Sequence, residues 1–233
     1  MFAGATAEEV AERGASVAVL PVGSFEQHGG HLPLATDTLI AEIMAQRVSS
    51  DYGLFCLPPV TFSCSHEHEG FAGTVSISAA TLIAVVADIR ASLARSGVRK
   101  LVLVNGHGGN YVLSNIAQEA NTGGPVVGLF PGTDDVDAAR AAAGMRTTAH
   151  EDMHGGEWET SILLHAMPDV VRPGYRDADF DAAVRPHLHA VGMGGYTKTG
   201  IIGRPSLATA EKGGLALDSL SASFGGLLGL LGG

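Results

Sequence analysis

Four short runs in this chain carry almost no polar residue on either face of an extended backbone, and that pattern restricts the fold more than anything else in the sequence. Lys100-Leu-Val-Leu-Val104 is the clearest, closed by Asn105-Gly106. Ser16-Val-Ala-Val-Leu-Pro-Val22 ends at Gly23. Pro125 to Phe130 is the third run. Leu54 to Phe62 is the fourth, although Pro58 and Pro59 interrupt it. A strand without a polar face must be covered on both sides. Helix patterns separate these runs: Thr38 to Ser49, with Leu39, Ile40, Ile43, Met44 and Val48 on one face; Ala79 to Arg95; Asn110 to Ala120; Trp158 to Met167, stopped at Pro168; and Ala208 to Leu220. Alternating strands and helices predict an α/β fold with a mostly parallel central sheet. Nothing reads as a linker or repeat, so residues 1–233 are expected to form a single domain. Asp134 to Thr148 and Arg172 to Gly195 read as longer irregular segments.

The charge balance excludes several classes of function. Asp, Glu, Lys and Arg make up 16% of the chain, below the usual share of about 25%. The 14 basic residues face 24 acidic ones, for a net charge of −10, which is the wrong sign for a phosphate backbone, so no nucleic acid partner is expected. The 45% hydrophobic content excludes disorder. Two cysteines, Cys56 and Cys64, are too few for a disulfide framework and suit a reduced, cytoplasmic setting. Met1 to Arg13 lacks the apolar core of a signal peptide. No run of about 18 apolar residues is expected to enter a membrane, and the Leu-Gly run from Phe224 to Gly233 is too short and too rich in glycine to span one.

The remaining unusual numbers are ten histidines and 32 glycines. In open α/β sheets, sites form where loops leave the carboxyl ends of strands, and most of the histidines lie there. Gly23-Ser-Phe-Glu-Gln-His-Gly-Gly-His-Leu-Pro-Leu-Ala-Thr-Asp37 places Glu26 and His28 two residues apart, on one face of an extended segment, with Asp37 at a helix start. Asp37 could instead be an ordinary helix cap. Asn105-Gly-His-Gly-Gly-Asn110 sets His107 among glycines directly after the clearest strand. It lacks Gly-x-Gly-x-x-Gly and a Walker lysine, which argues against a nucleotide loop. His154-Gly-Gly-Glu-Trp-Glu-Thr-Ser161 opens a helix with Glu157 and Glu159, either of which could be a ligand or base. His154 is a candidate proton carrier. Ser65-His-Glu-His-Glu-Gly-Phe-Ala-Gly-Thr74 offers Glu67 and His68 as pocket groups, and His31 and His66 are expected to line the same pocket. No Gly-x-Ser-x-Gly elbow or activated cysteine motif is present. Gathered imidazoles and carboxylates point instead to a divalent ion that activates water.

The segment Pro21 to Thr38 closely resembles the signature of the creatininase (creatinine amidohydrolase) family. Phe71-Ala-Gly-Thr74, Asn105 to Asn110 and His154 to Ser161 follow in that family's order, so the resemblance covers about Ser16 to Ala210. It implies a three-layer α/β/α sandwich and two divalent ions per subunit, Zn, Mn or Fe. It also implies hydrolysis of a C–N bond in a cyclic or other non-standard amide, a formamide or a small peptide-like substrate. Glu26, Asp37 and His107 would hold one ion; His28, a bridging Asp37 and Glu159 would hold the other. His154 and Glu159 are the expected catalytic groups, with Glu67, His68, Gly108 and Trp158 lining the substrate pocket. Creatininase proper carries a glutamate where this chain has Gly109. The Gly-Gly form resembles instead the deformylases of deazaflavin biosynthesis and the peptidase that trims the mycofactocin precursor. Family members commonly form hexamers, so a homo-oligomer is expected. The competing reading is a metal-dependent binding protein on the same fold that lacks turnover.

Overall fold

The computed structural model describes residues 5–232. The expectations for Met1 to Gly4 and for Gly233 lie outside the described residues. Four parallel strands form one sheet in the order β2-β1-β3-β4: β1 (Val17–Val22), β2 (Phe55–Cys56), β3 (Lys100–Asn105) and β4 (Val127–Phe130). The helices are α1 (Ala7–Arg13), α2 (Thr36–Tyr52), α3 (Ala79–Arg95), α4 (Val112–Ala120), α5 (Thr133–Ala142), α6 (Glu157–Ala166), α7 (Leu188–Val191) and α8 (Ala210–Leu231).

The period of two along each strand divides the core in two. Val17 and Val19 of β1, with Val102 and Val104 of β3, pack against α2, α5, α6 and α8. Ala18, Leu20 and Val22, with Leu101 and Leu103, face α3 and α4. The sheet is therefore covered on both faces, and the fold is a three-layer α/β/α sandwich. β1 and β3 pair in full register from Val17↔Lys100 to Val22↔Asn105. Both end level, and the loops after them emerge side by side.

Helix α1 has no counterpart in the sequence reading, and three further segments differ from it. The fourth run keeps only Phe55–Cys56 as a strand, because Pro58 and Pro59 have no N–H for the ladder. Val60 then rejoins β1 through Val60 N–H to the Pro21 carbonyl. Thr133 to Ala142, inside the segment expected to be irregular, is helix α5. The Gly132 N–H donates to Asp135 Oδ2 at 2.8 Å, and Asp134 and Asp135 lie in the first turn, where the helix dipole favours them.

The third difference is the last helix, which runs on to Leu231 rather than ending at Leu220. Its glycines have a packing reason. A Cβ on Gly213 would lie 2.0 Å from the Ser161 carbonyl oxygen, so a larger residue would push α8 off α6. That close packing offsets the roughly 1 kcal/mol that glycine costs inside a helix. By length and composition α8 is also apolar enough to cross a membrane; here Ala216, Leu217, Leu220, Phe224, Leu228 and Leu231 are buried in the core.

Candidate metal centre and active site

Asp37 is not a helix cap. The cap position of α2 is Ala35, and Asp37 stands in the first turn with its carboxylate fully buried between two imidazoles. Its Oδ1 lies 3.0 Å from His28 Nε2, and its Oδ2 lies 2.9 Å from His107 Nδ1. Ser24 Oγ donates to Oδ2 at 2.7 Å. Around these, Glu26 Oε1 is 3.3 Å from His107 Nδ1, and Glu159 Oε1 is 3.8 Å from His28 Nε2. Glu26 and His107 thus gather at one oxygen of Asp37, and His28 and Glu159 at the other.

The ring tautomers follow from the carbonyls. A carbonyl only accepts, so the ring nitrogen facing it carries a proton. His28 Nδ1 donates to the Glu26 carbonyl at 3.1 Å, His107 Nε2 to the Cys64 carbonyl at 2.9 Å, and His154 Nε2 to the Gln27 carbonyl at 2.6 Å. In each ring the other nitrogen is aimed into the cluster. A backbone acceptor that fixes the far nitrogen of an imidazole is the usual outer support of a metal-ligating histidine.

His68 is oriented the opposite way. The Gln27 amide is fixed because its Oε1 accepts from Gly29 N–H and its Nε2 donates to the Gly200 carbonyl, each at 3.0 Å. The second proton on Nε2 points at His68 Nδ1, 3.0 Å away. Neutral His68 therefore carries its proton on Nε2, which lies 3.2 Å from Glu26 Oε1. It presents an N–H rather than a lone pair to the cluster, close to Glu26 but without forming a hydrogen bond to it.

Burial and charge together determine the protonation of the cluster. Burial pushes the Glu26 carboxyl up to about 8, and the Asp37 charge adds to this. Burial also works against charge on Asp37, but His28 and His107 outweigh it and hold Asp37 well below the usual carboxylate range. Burial opposes charge on His107 too, yet Glu26 and Asp37 raise it to about 9. His28 is likewise raised, by Asp37. Burial and the neighbouring His28 lower His154 to about 4, which leaves it neutral at pH 7.

These residues fit a divalent ion. Both oxygens of Glu26 are buried without a hydrogen bond, a costly state for a carboxylate unless a cation takes it up. Glu26, His28 and Asp37 could hold an ion, as could His28, His154 and Glu159. Glu26, His68 and His154 lie equally close together, but the His68 proton faces inward. Oxygen and imidazole donors suit zinc, manganese or iron.

The other expected pocket residues separate. Glu67 enters the pocket, with Oε1 3.7 Å from His107 Nε2. A Cβ on Gly109 would lie 2.0 Å from that same oxygen and 2.4 Å from His107 Nε2, so the Glu67 and His107 side chains use the space beside this glycine. Gly108 lines the pocket mouth. Trp158 lies farther round, on a second cavity behind His107 and Glu159. His66 faces outward to Glu69, and His31 Nε2 donates to the Gly155 carbonyl at 3.0 Å. Glu157 is buried elsewhere, where Lys212 and the Arg146 and Thr147 backbone hold it. Sequence reasoning missed Ser24, Gln27, Arg140 and Asp152. Only Ser24 and Gln27 had a signal, since both stand in the Glu26–His28 loop.

The comparisons agree with this geometry. The family described as creatinine amidohydrolase matches residues 3–228. The chain is 36% identical over 204 residues to the mycofactocin precursor peptide peptidase of Mycolicibacterium smegmatis, covering 84% of this chain and 77% of that one. It is 30% identical over 223 residues to the creatinine amidohydrolase of Pseudomonas putida, covering 88% and 85%. A crystal structure of creatinine amidohydrolase superposes with a TM-score of 0.82 at 29% identity, covering 97% of this chain and 95% of the other. Similar creatininase structures at 28% identity, each with a TM-score of 0.81, include a mutant of Zn-Zn type (97% and 95% coverage) and a manganese form (97% and 96%). The relatives are hydrolases of C–N amide bonds, and this chain belongs to the creatininase family of amidohydrolases.

Proposed function

We propose that this enzyme is a binuclear amidohydrolase acting on a small peptide-like amide. The observation that carries the reading is Asp37, whose two oxygens face two separate donor sets. Glu26, Asp37 and His107 would hold one ion, and His28, Asp37 and Glu159 the other. Bound ions would supply an activated water and polarise the amide carbonyl. His154 is placed to move the proton. Its Nε2 is held by the Gln27 carbonyl, so Nδ1, 3.7 Å from Glu26 Oε1, is the atom that takes a proton from the nucleophile and gives it to the leaving nitrogen. Glu159, with Oε1 3.8 Å from His28 Nε2, carries negative charge beside the reacting centre.

The peptide-like preference over creatinine is supported by the similarity to the mycofactocin precursor peptide peptidase and by cavities on both sides of the cluster, of about 100 and 220 Å³. We also propose a homo-oligomer, a hexamer by analogy with the family, working in the cytoplasm, where the buried thiols of Cys56 and Cys64 stay free. The test is elemental analysis together with a hydrolysis panel of creatinine, formamides and short peptides, each with zinc, manganese and iron. Wild type should carry about two ions per chain and cleave at least one peptide-like amide; Asp37→Ala should lose both ions. Unchanged metal content in Asp37→Ala overturns the bridging role, and a metal-replete enzyme that cleaves nothing in the panel overturns the hydrolase reading.

A further inference from the structure

Arg140, in the last turn of α5, is buried beside the cluster and has donors to spare. Its Nε donates to the Thr147 carbonyl at 3.1 Å, and its Nη2 donates to Thr147 Oγ1 at 2.8 Å and to Asp152 Oδ2 at 2.9 Å. Nη1 makes no hydrogen bond with the described residues. Only 5% of the residue is exposed, and it lines the 220 Å³ cavity whose wall also includes His107, Gly108 and Glu159. Nη1 is not among the fully buried unpaired atoms, so this free end of the guanidinium keeps access to the cavity, where its N–H groups can meet a ligand.

The charge on Arg140 is not used up by its partner. Asp152 sits at the N-terminus of α6. Its Oδ1 accepts from Glu157 N–H at 2.6 Å and Arg204 N–H at 3.2 Å, and its Oδ2 accepts from Trp158 N–H at 2.9 Å. Three backbone donors and the helix dipole offset its charge. The guanidinium also lies 5.7 Å from the centre of the Trp158 ring. The other carboxylate on this cavity, Glu159, is engaged by His28 and by the Gly155 N–H. Asn105 also lines it, but its amide is engaged by the His107 backbone and by Asn110, and most of the rest is apolar, with Ile40, Met44 and Pro131.

We propose that this cavity is a carboxylate subsite: Arg140 Nη1 receives a free carboxylate on the substrate, which restricts the enzyme to amides that carry one. The proposal rests on the amidohydrolase reading for its chemistry. Water adds its oxygen to the carbonyl carbon, the C–N bond breaks, and the nitrogen leaves with a proton; the carboxylate at Arg140 is a bystander that fixes register. Creatinine, which has no carboxylate, would be a poor substrate.

The test compares N-acetyl-glycyl-leucine with its C-terminal carboxamide, scoring only cleavage of the acetyl–Gly and Gly–Leu bonds that both share, because the carboxamide adds a third C–N bond of its own. Wild type should favour the acid in kcat/KM by about tenfold or more, the size expected for one charge-assisted bond, and the preference should lie in KM. In Arg140→Gln the acid-to-amide ratio should fall to about one, with Arg140→Lys between. Equal use of both substrates by wild type overturns the proposal, as does a preference that survives in Arg140→Gln. If Arg140→Gln fails to fold, the wild-type ratio alone decides. If neither compound is cleaved, the hydrolase reading is what suffers for this class. Calorimetric binding of N-acetyl-leucine to wild type and Arg140→Gln in the metal-free state then decides the subsite, with at least tenfold tighter binding to wild type expected and equal binding overturning it.

Discussion

Gln27 Nε2 lies 3.0 Å from His68 Nδ1, and this contact separates His68 from His28, His107 and His154, whose backbone-held far nitrogens leave the other ring nitrogen aimed inward. In Gln27→Glu the amide proton is replaced by an acceptor, which draws the proton onto Nδ1 and leaves Nε2 as a lone pair against Glu26. Nitrogen NMR should show the Nε2–H tautomer of His68 in wild type and an Nδ1 proton in the variant. Turnover should fall roughly 10- to 100-fold, the range seen when outer partners of a metal site are changed. A wild-type His68 protonated on Nδ1 would disprove the assignment.

The metal-free protein should lose stability as pH rises above 6.5. Native Glu26 keeps its proton up to about 8, whereas the unfolded carboxyl releases it near 4.5; native His107 holds one to about 9 against 6.5 unfolded. The native state therefore binds more protons than the unfolded chain across this window, and its stability declines with rising pH. His154, lowered to about 4, and the lowered His31 and His68 oppose this trend only up to about the unfolded value of 6.5, and their opposition fades above it. The Tm of metal-free protein should fall steadily from pH 6.5 to 9. Metal uptake at pH 7 should release protons, seen as a binding enthalpy that scales with buffer ionisation. A metal-free Tm that rises over that range contradicts the protonated cluster.

Gly109→Ala tests the departure from creatininase proper. The added methyl would meet Glu67 Oε1 and His107 Nε2. Glu67 can swing away, since its side chain is 15% exposed. His107 is held between Cys64 and Asp37 and must shift as a ring. Activity should fall by about 10- to 100-fold, as expected for displacement of a reacting group by around an ångström, while the unfolding midpoint changes little. Full activity in Gly109→Ala would show that this space is slack.

The legible parts of the structure were local. The apolar runs at Val17–Val22 and Lys100–Asn105 declared strands because burial on both faces leaves no other pattern, and the loops after them held the residues that converge on Asp37. What lay hidden was set by tertiary contact. The apolar side of α5 is made only of Val136 and small alanines such as Ala139 in an acidic run, and the helix is held by Ala139 packing under α8 and by Arg140 bonding to the Thr147 segment. The length of α8 was obscured by glycines whose purpose is visible only against α6. Two residues apart, His66 and His68 read alike, but a 3-10 turn at His66–His68 sends one to solvent and the other to Glu26. Arg140 and Asp152 form their pair across a loop that gives no periodic signal.

The two glutamates of the His154 segment separate by consequence. Glu157 is buried, and its oxygens accept from Arg146 and Thr147 N–H, from Thr147 Oγ1 and from Lys212 Nζ at 2.5 Å. Glu159 turns toward His28 instead. Glu157→Gln should leave metal content unchanged and lower stability, because Lys212 loses its charged partner; Lys212→Met should do the same from the other side, by about 1.5–3 kcal/mol for a hydrogen bond to a charged group. Glu159→Gln should bind close to one ion fewer per chain, with stability in the metal-free state nearly intact. Denaturant unfolding and elemental analysis on the three variants resolve the matter. Metal loss in Glu157→Gln with full occupancy in Glu159→Gln would exchange the two roles, and it would require α6 to rotate from the position in which Asp152 accepts the Glu157 and Trp158 N–H groups.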